Sequence, residues 1–496
     1  MLRRRLIIAA GILILGFWLV MMTLLLRREV FTPHWQAPRS DMPAAPTDIW
    51  LGLFVNDAGQ TPIGFVNVHT EPTQRADQSG MIASVMGQMR LNLGSFKGEL
   101  RVNGHAWATE RDGFREFMVT MRSGEHETTV DGTVEEGRLL GTMTTGGERT
   151  PFDLPFTDNQ VLTNAPGLNA LGMPDIEVGE EIVVDAFDPL TMSSGNARIR
   201  CIREEVITIM DEAIETKVLV TELSGITSTA WVDESGNVVR AETPIGIVFQ
   251  RMDELEARRS MLASNAQGDG LLKLAAVAAI GQAPFRGATR MEVVLSGIDG
   301  AMAVPSDDAQ TLHADGRLVI TPLGPVEMGA PLDADTRAKA LANDIFLQID
   351  HPRIVQAANE IVAGKVDDWE KSVLIHEWVS KSVRKGIVPS LPTALDVLTT
   401  LEGDCNEHTM LFTALARASG IPTRMAIGIV WSEEFNAFYY HAWPEVYAGR
   451  WVWMDPTLDQ VVADATHIKL ISGDLSEWWK VAPFMGKIEV RIVDIE

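Results

Sequence analysis

The chain has 496 residues, of which 46% are hydrophobic, and a formal net charge of −25 from 42 Lys+Arg against 67 Asp+Glu. That length exceeds what one hydrophobic core fills and divides into about three domains. An acidic surface repels phosphate, which sets nucleic acid aside as a partner, and two cysteines, Cys201 and Cys405, exclude a disulfide scaffold.

Arg3, Arg4, Arg5, Arg27 and Arg28 bracket the run Leu6–Leu26, which carries no charge and one hydroxyl, Thr23. At about 1.5 Å per residue this run spans a hydrocarbon layer of roughly 30 Å. A secretory signal would have a shorter apolar core and small residues at a cleavage site; here Arg27-Arg28 stops the run and no such site follows. Residues 1–28 therefore read as a retained transmembrane anchor. The arginine bias puts the N-terminus in the cytoplasm and the bulk of the chain outside it, periplasmic or on the outer face. Residues 29–48, with Pro33, Pro38, Pro43 and Pro46, read as a semi-extended linker.

Residues 49–262 have strand character. Ile63–His69, Phe96–Val102, Phe114–Met121, Ile182–Ala186 and Lys217–Glu222 are separated by Gly, Asp and Asn turn signals, and Trp231–Arg240 reads as a hairpin. The expectation is a β-rich antiparallel sheet domain closed by a helix over Met252–Leu262. Cys201, within Ala197–Ile202, reads as a small core residue on a strand. Residues 263–330 are expected to hold a short buried helix over Leu271–Ile280, too short to span a membrane, and a small β unit with strands at Arg290–Ser296 and Arg317–Thr321.

The period turns helical over residues 331–496. Asp333–Asp344, Pro352–Gly364 and Asp367–Arg384 are expected helices, the third with an apolar stripe of Trp369, Val373, Leu374, Trp378 and Val379. Asp404 then caps a further helix, Glu407 has capping-box spacing, Met410, Leu411, Ala414, Leu415 and Ala418 line one face, and Gly420 and Pro422 end it. Cys405 falls at the first helical position. Unpaired N–H groups and the positive dipole end there favour thiolate and face an oxyanion beside the sulfur. Asp404 opposes the thiolate, so a basic partner is required.

Strands are expected at Thr423–Val430, Phe438–Tyr447 and Trp451–Asp455, the last two joined by the turn Ala448-Gly449-Arg450. Counting back from that turn puts His441 and Asp455 opposite each other to within about a residue, in hydrogen-bond range on one sheet face. An imidazole held by a carboxylate has a fixed tautomer and a stabilised cation, which is what a thiol nucleophile needs beside it. Singly, a helix-start Cys, a strand His and an Asp before Pro456 are commonplace structural residues. In the order Cys, His, Asp on helix, strand and strand they form a complete set of catalytic roles.

Gly403-Asp404-Cys405, Leu415–Arg424, His441-Ala442-Trp443-Pro444-Glu445-Val446-Tyr447 and Trp451-Val452-Trp453-Met454-Asp455-Pro456-Thr457 together resemble the transglutaminase core. More narrowly they resemble bacterial, membrane-anchored transglutaminase-like proteins, over roughly residues 350–475. The resemblance implies an α+β, papain-like fold in which a helix bearing the cysteine packs on an antiparallel sheet, here preceded by β-rich domains and one N-terminal transmembrane helix. It implies Cys405 as nucleophile, His441 as general base and acid, and Asp455 as orienter, acting on protein or peptide amides by hydrolysis or amine transfer with no metal or cofactor. Two other readings stay open: a non-catalytic module of this fold binding peptide or wall material, and a metal site using Cys405, His408, His441 and Asp455. Of the neighbours, His408 lines the cleft or the helix surface, Trp443 and Trp453 wall the site or fill the sheet core, and His467 packs. Trp378 is a weak candidate for a second oxyanion donor.

Overall fold

The computed structural model describes residues 45–496 except 57–59, 76–77, 94–95, 110–112, 125, 158–159, 163–175, 189–191, 224–225, 264–274, 299–303, 328, 387–392, 474–479 and 482–483. The expected anchor at 1–28 and most of the linker at 29–48 lie outside the described residues. Among the described residues no helix is long and apolar enough to cross a membrane. The chain is mostly β, with helices concentrated between Ala334 and Ala418.

Fifteen strands between Thr47 and Met252 form one sheet. Eight of them, from Thr47–Val55 to Glu148–Pro155, are an antiparallel meander. The first strand also pairs with Ile247–Met252, and the sheet continues from there back through the chain to Glu181–Asp188. Alternation decides which face is buried: along Gly113–Ser123, Phe117, Val119 and Met121 point to one core while Met118 and Arg122 face out. Phe117 and Phe156 from the first arm meet Phe187 from the second, with ring centroids 6.4 and 6.1 Å apart. The sheet therefore curls until its two arms share one aromatic core. The helix Glu254–Ala263 covers the other face, laying Ala257 and Met261 on Trp50 and Phe65. Cys201 is fully buried among Val184, Ile199 and Leu219, the small core residue its context suggested.

The helix expected over Leu271–Ile280 does not hold from Ala276 on. Ala276–Val277 is an edge strand opposite Phe438 and Tyr439, and Ala279–Gly281 pairs in parallel with Glu489–Ile495. Partners far away in the chain supply the backbone hydrogen bonds and override a local helical preference. Met291–Ser296 lies between that C-terminal strand and Arg317–Ile320.

The helices Ala334–Lys339, Pro352–Ile361, Asp368–Ser382, Ala394–Thr400 and Cys405–Ala418 follow. Asp333, Asp367, Thr393 and Asp404 each accept a backbone N–H at a helix start, so four of the five are side-chain capped by short oxygen-bearing residues. The cysteine helix, Cys405–Ala418, is buried along almost its whole length. It packs against the other helices on one side and against Met425, Val446, Val452 and Met454 of a sheet on the other. That sheet runs Ala276–Val277, Ala437–Tyr447, Thr423–Ser432, His467–Gly473, with Trp451–Trp453 paired to Ala437–Tyr447.

The large sheet rests on this domain just ahead of the cysteine. Gln348 donates to Thr150, and His126 Nδ1 lies 3.8 Å from Asp396 Oδ2 in the helix Ala394–Thr400. A Cβ on Gly146, in a hairpin turn of the sheet at φ +59°, would come within 2.7 Å of Asp396 Oδ1, so the turn needs glycine both for its backbone and for the close approach.

Candidate active site

Asp404 caps the cysteine helix in a complete capping box: its carboxylate accepts the N–H of Asn406 at 2.8 Å and that of Glu407, and Glu407 Oε2 accepts the Asp404 N–H at 2.6 Å. The cap uses the N–H groups of Asn406 and Glu407 and leaves that of Cys405 beside the sulfur. Gly403 makes the fit possible, since a Cβ there would lie 2.1 Å from Glu407 Cβ. Cys405 is half-buried. Burial pushes its thiol well above the ordinary range, the charges of Asp404, Glu407 and Asp455 push the same way, and a hydrogen bond from the Ala442 backbone opposes them. The expectation that the helix start favours thiolate is thus reversed in the resting site. Burial first, and the nearby carboxylates after it, outweigh the partial charge of the helix end.

His441 and Asp455 are brought together, though not by the register read from the sequence. Glu445 pairs with Trp453 and Tyr447 with Trp451, and continuing that register sets Asp455 across from Trp443 rather than His441. The strand leaves its ladder after Trp453, and Asp455 closes a turn by bridging to Gln460. From there Oδ2 reaches diagonally to His441 Nε2 at 2.7 Å, while Oδ1 accepts the Leu458 N–H at 3.0 Å. Burial alone would raise the Asp455 carboxyl, but the His441 and His467 rings beside it hold it far below the usual carboxylate range. An ionised Asp455 fixes the hydrogen on His441 Nε2 and leaves Nδ1 as the basic nitrogen. The sulfur is hydrogen-bonded by the backbone of Ala442, the residue after His441, and Thr409 of the cysteine helix donates to the Ala442 carbonyl at 3.0 Å. Among the described contacts no hydrogen bond joins the sulfur to the His441 ring; in unliganded thiol sites that bond is commonly long.

Three histidines surround this group in roles the sequence did not reveal. His467, read as a packing residue, is fully buried and places Nε2 3.0 Å from the same Asp455 oxygen. His376, on the helix Asp368–Ser382, holds the Asp455 carbonyl at 3.2 Å. His408 is fully buried, neither lining a cleft nor exposed on the helix surface, with Nδ1 2.7 Å from the Asp404 carbonyl. The signal that was available is polarity at apolar positions: His376 and His408 stand on helix faces whose neighbours are buried. Trp443 and Trp453 are buried with ring centroids 5.5 Å apart, and Trp443 stacks on His441 at 6.1 Å. Trp378 packs on the helical core. The donors His441, Asp455 and His467 lie within 4.8 Å of one another, but hydrogen bonds to the shared carboxylate already account for that spacing. The alternative ligand set of Cys405, His408, His441 and Asp455 is not assembled among the described residues.

Residues 355–456 match the family model of the transglutaminase-like superfamily. No curated protein matches the sequence at a significant level. Similar solved structures include a candidate cysteine protease from Cytophaga hutchinsonii, 16% identical, covering 45% of this chain and 85% of its own, with a TM-score of 0.27. A β-barrel-like protein of a domain of unknown function from Brucella abortus is 8% identical over 42% of this chain and 96% of its own, with a TM-score of 0.29. A candidate protease from Parabacteroides distasonis is 14% identical over 34% of this chain and 37% of its own, with a TM-score of 0.19. At these scores the likenesses have no bearing on the chemistry. The family match runs from the helix Pro352–Ile361 through the cysteine helix and the histidine strand to the turn at Asp455-Pro456, and through that segment the chain carries a domain of the transglutaminase-like superfamily.

Proposed function

We propose that Cys405, His441 and Asp455 form a thiol active site that transfers acyl groups from protein or peptide amides through a Cys405 thioester. The observation that carries this reading is the 2.7 Å bond between His441 Nε2 and Asp455 Oδ2. It lies on the strand whose Ala442 backbone hydrogen-bonds the sulfur at the helix tip. His441 Nδ1 takes the thiol proton as the sulfur attacks the amide carbonyl, and returns it to the departing amine. The Cys405 N–H, left over by the capping box, serves as one oxyanion donor. Water, deprotonated by His441, then attacks the thioester and releases the acid; a primary amine in place of water gives a cross-link. Hydrolysis is the favoured outcome, because water reaches an open thioester by default and amine transfer requires an additional binding site.

Cys405→Ser should abolish acyl-enzyme formation with p-nitrophenyl acetate and with casein peptides while leaving the unfolding midpoint unchanged. A Ser variant as active as the parent would reject Cys405 as nucleophile, and a parent that never acylates would leave a peptide-binding module. The same reading places the site outside the cytoplasmic membrane, tethered through Leu6–Leu26 in a bacterial envelope. The full chain should then stay with membranes through alkaline carbonate extraction, and release into the supernatant would refute the tether.

A further inference from the structure

Behind the histidine–carboxylate pair the chain of hydrogen bonds does not end. Asp455 Oδ2 accepts from His441 Nε2 at 2.7 Å and faces His467 Nε2 at 3.0 Å. The other nitrogen of His467, Nδ1, faces the Asp464 carbonyl at 3.1 Å and the Asp464 carboxylate at 3.4 Å. Asp464 is itself fixed as an acceptor. Gly287 N–H at 2.9 Å and Gln460 Nε2 at 2.6 Å donate to one oxygen, and Thr466 N–H at 2.9 Å and its hydroxyl at 2.5 Å donate to the other. Arg286 lies 3.8 Å from it. Both ring nitrogens of His467 therefore meet only acceptors, and a neutral imidazole, which carries a single N–H, would leave one of them facing an oxygen lone pair without a proton. The ring is fully buried, with Trp443 at 5.1 Å edge-on. An unsatisfied contact there would have no water to relieve it.

We propose, building on the active-site reading above, that His467 is a positioning residue, an imidazolium clamped between Asp464 and Asp455 that holds the Asp455 carboxylate towards His441 and compensates its charge. His467 lies beyond the segment matched by the family model, which ends at 456. It enters through fold geometry. Thr423–Ser432 pairs with the histidine strand on one side, placing Gly428 opposite His441, and with His467–Gly473 on the other, placing Val430 opposite His467. Gly428 and Val430 are two residues apart and so share a face. The two rings thus face the same side across a central strand that has no side chain at Gly428, and their centroids lie 5.8 Å apart. Asp464 and His467 are three residues apart on one turn, so the counter-charge is built into the local chain.

The device has a chemical consequence. An uncompensated buried Asp455 would pull a proton strongly onto His441 and favour a resting thiolate–imidazolium pair. With His467 charged and Arg286 behind Asp464, two cations balance the two carboxylates, His441 stays free to act as a base, and the thiol remains protonated until the substrate arrives. The upward push on the Cys405 thiol agrees with that resting state.

The test is nitrogen-15 NMR of the full chain in detergent micelles with selectively labelled histidine, titrated over about pH 5 to 9. The expected result is a His467 ring with both nitrogens protonated at neutral pH. In His467→Gln, which retains a donor to Asp455 but not the charge, the His441 midpoint should rise by about two pH units, as expected for a lost unit charge 5.8 Å away at an effective dielectric of ~20. The groups facing His467 that share in this titration are Asp455, Asp464 and His441, with Arg286 behind Asp464. A neutral His467 tautomer at neutral pH, or an unchanged His441 midpoint in His467→Gln, overturns the proposal. If His467→Gln does not fold, the parent spectrum alone decides. Iodoacetamide labelling of Cys405, followed by peptide mass spectrometry, separates this proposal from the active-site reading. Equal labelling rates in the parent and in His441→Ala sink the active site, whereas the NMR result bears only on His467.

Discussion

Replacing Asp455 with Asn keeps the side-chain volume and removes both the charge and one acceptor. In the parent, Oδ2 receives two imidazole N–H groups and Oδ1 receives the Leu458 N–H. An amide oxygen turned towards the rings keeps those two bonds, but its NH₂ then faces the Leu458 N–H. Turned the other way, the NH₂ confronts both imidazoles. Either orientation forfeits at least one bond in a fully buried site and reduces the others from charge-assisted to neutral, at about 1.5–3 kcal/mol for each bond to a charged group. Because the buried His467 also loses a counter-ion, the expected stability loss is about 3–5 kcal/mol. The kinetic loss should be larger, since His441 is no longer held with its hydrogen on Nε2: on the order of a thousand- to ten-thousandfold, as for other triads whose orienting acid becomes an amide. Urea unfolding measures the first quantity, and single-turnover release of p-nitrophenol from p-nitrophenyl acetate the second. An Asp455→Asn protein that remains folded and acylates within about threefold of the parent would show that the carboxylate does not orient the base.

Glu445 is fully buried between Lys469, at 2.5 Å, and Arg424, at 2.6 Å. Burial would raise its carboxyl, but the two cations win and lower it to about 2. Its contribution to stability should be present above its unfolded value near 4.5 and vanish as pH falls through about 2. Glu445→Gln should cost about 3–5 kcal/mol at neutral pH and flatten the acid limb of the urea midpoint; an unchanged limb would assign the effect elsewhere. Gly403→Ala drives a Cβ to 2.1 Å from Glu407 Cβ, so the cap must open, with a loss of about 1–3 kcal/mol and slower acylation at Cys405, read by the same two assays. Burial lowers His467 but Asp455 and Asp464 raise it above the ordinary value, so its stabilisation is complete below about pH 6.5 and is lost as pH rises through the folded-state value. Urea midpoints of the parent should fall on the alkaline side, and those of His467→Gln should not share that fall.

Local chemistry was legible in the sequence, and chain geometry was not. Asp404 and Glu407 announced the capping box and hence the position of Cys405 on its helix, because a cap is a matter of residues within one turn. The alternation of Phe117, Val119 and Met121 announced a half-buried strand. The curl that joins Phe156 to Phe187 had no local signature, and neither did the edge strand at Ala276–Val277, whose partners lie some 160 residues further on. The pair of His441 and Asp455 was found for a partly mistaken reason: the ladder breaks after Trp453, and the carboxylate arrives diagonally from a turn. His467 stayed hidden because its role depends on the register of a third strand, which nothing near position 467 encodes.

The crowding of negative charge at Cys405 fits the proposed chemistry once the timing of proton transfer is considered. Asp404, Glu407 and Asp455 all bear on the sulfur. Glu407 is itself held well above the carboxylate range by burial and by the adjacent Asp404, which favours its protonated form and weakens its share of the repulsion. The remaining charges each have a structural duty: Asp404 caps the helix, and Asp455 holds two imidazoles. A permanent thiolate in this setting would need an imidazolium beside it, and the shared carboxylate already has one in His467 on the reading given above. The alternative is a neutral thiol that gives up its proton only as a bound carbonyl accepts the sulfur's electron pair. Charge then moves away from the carboxylates onto the carbonyl oxygen and meets the first-turn N–H of Cys405. In such a site the acidic neighbours restrain the thiol when no substrate is bound, and the bound carbonyl gives the sulfur's charge somewhere to go as the bond forms.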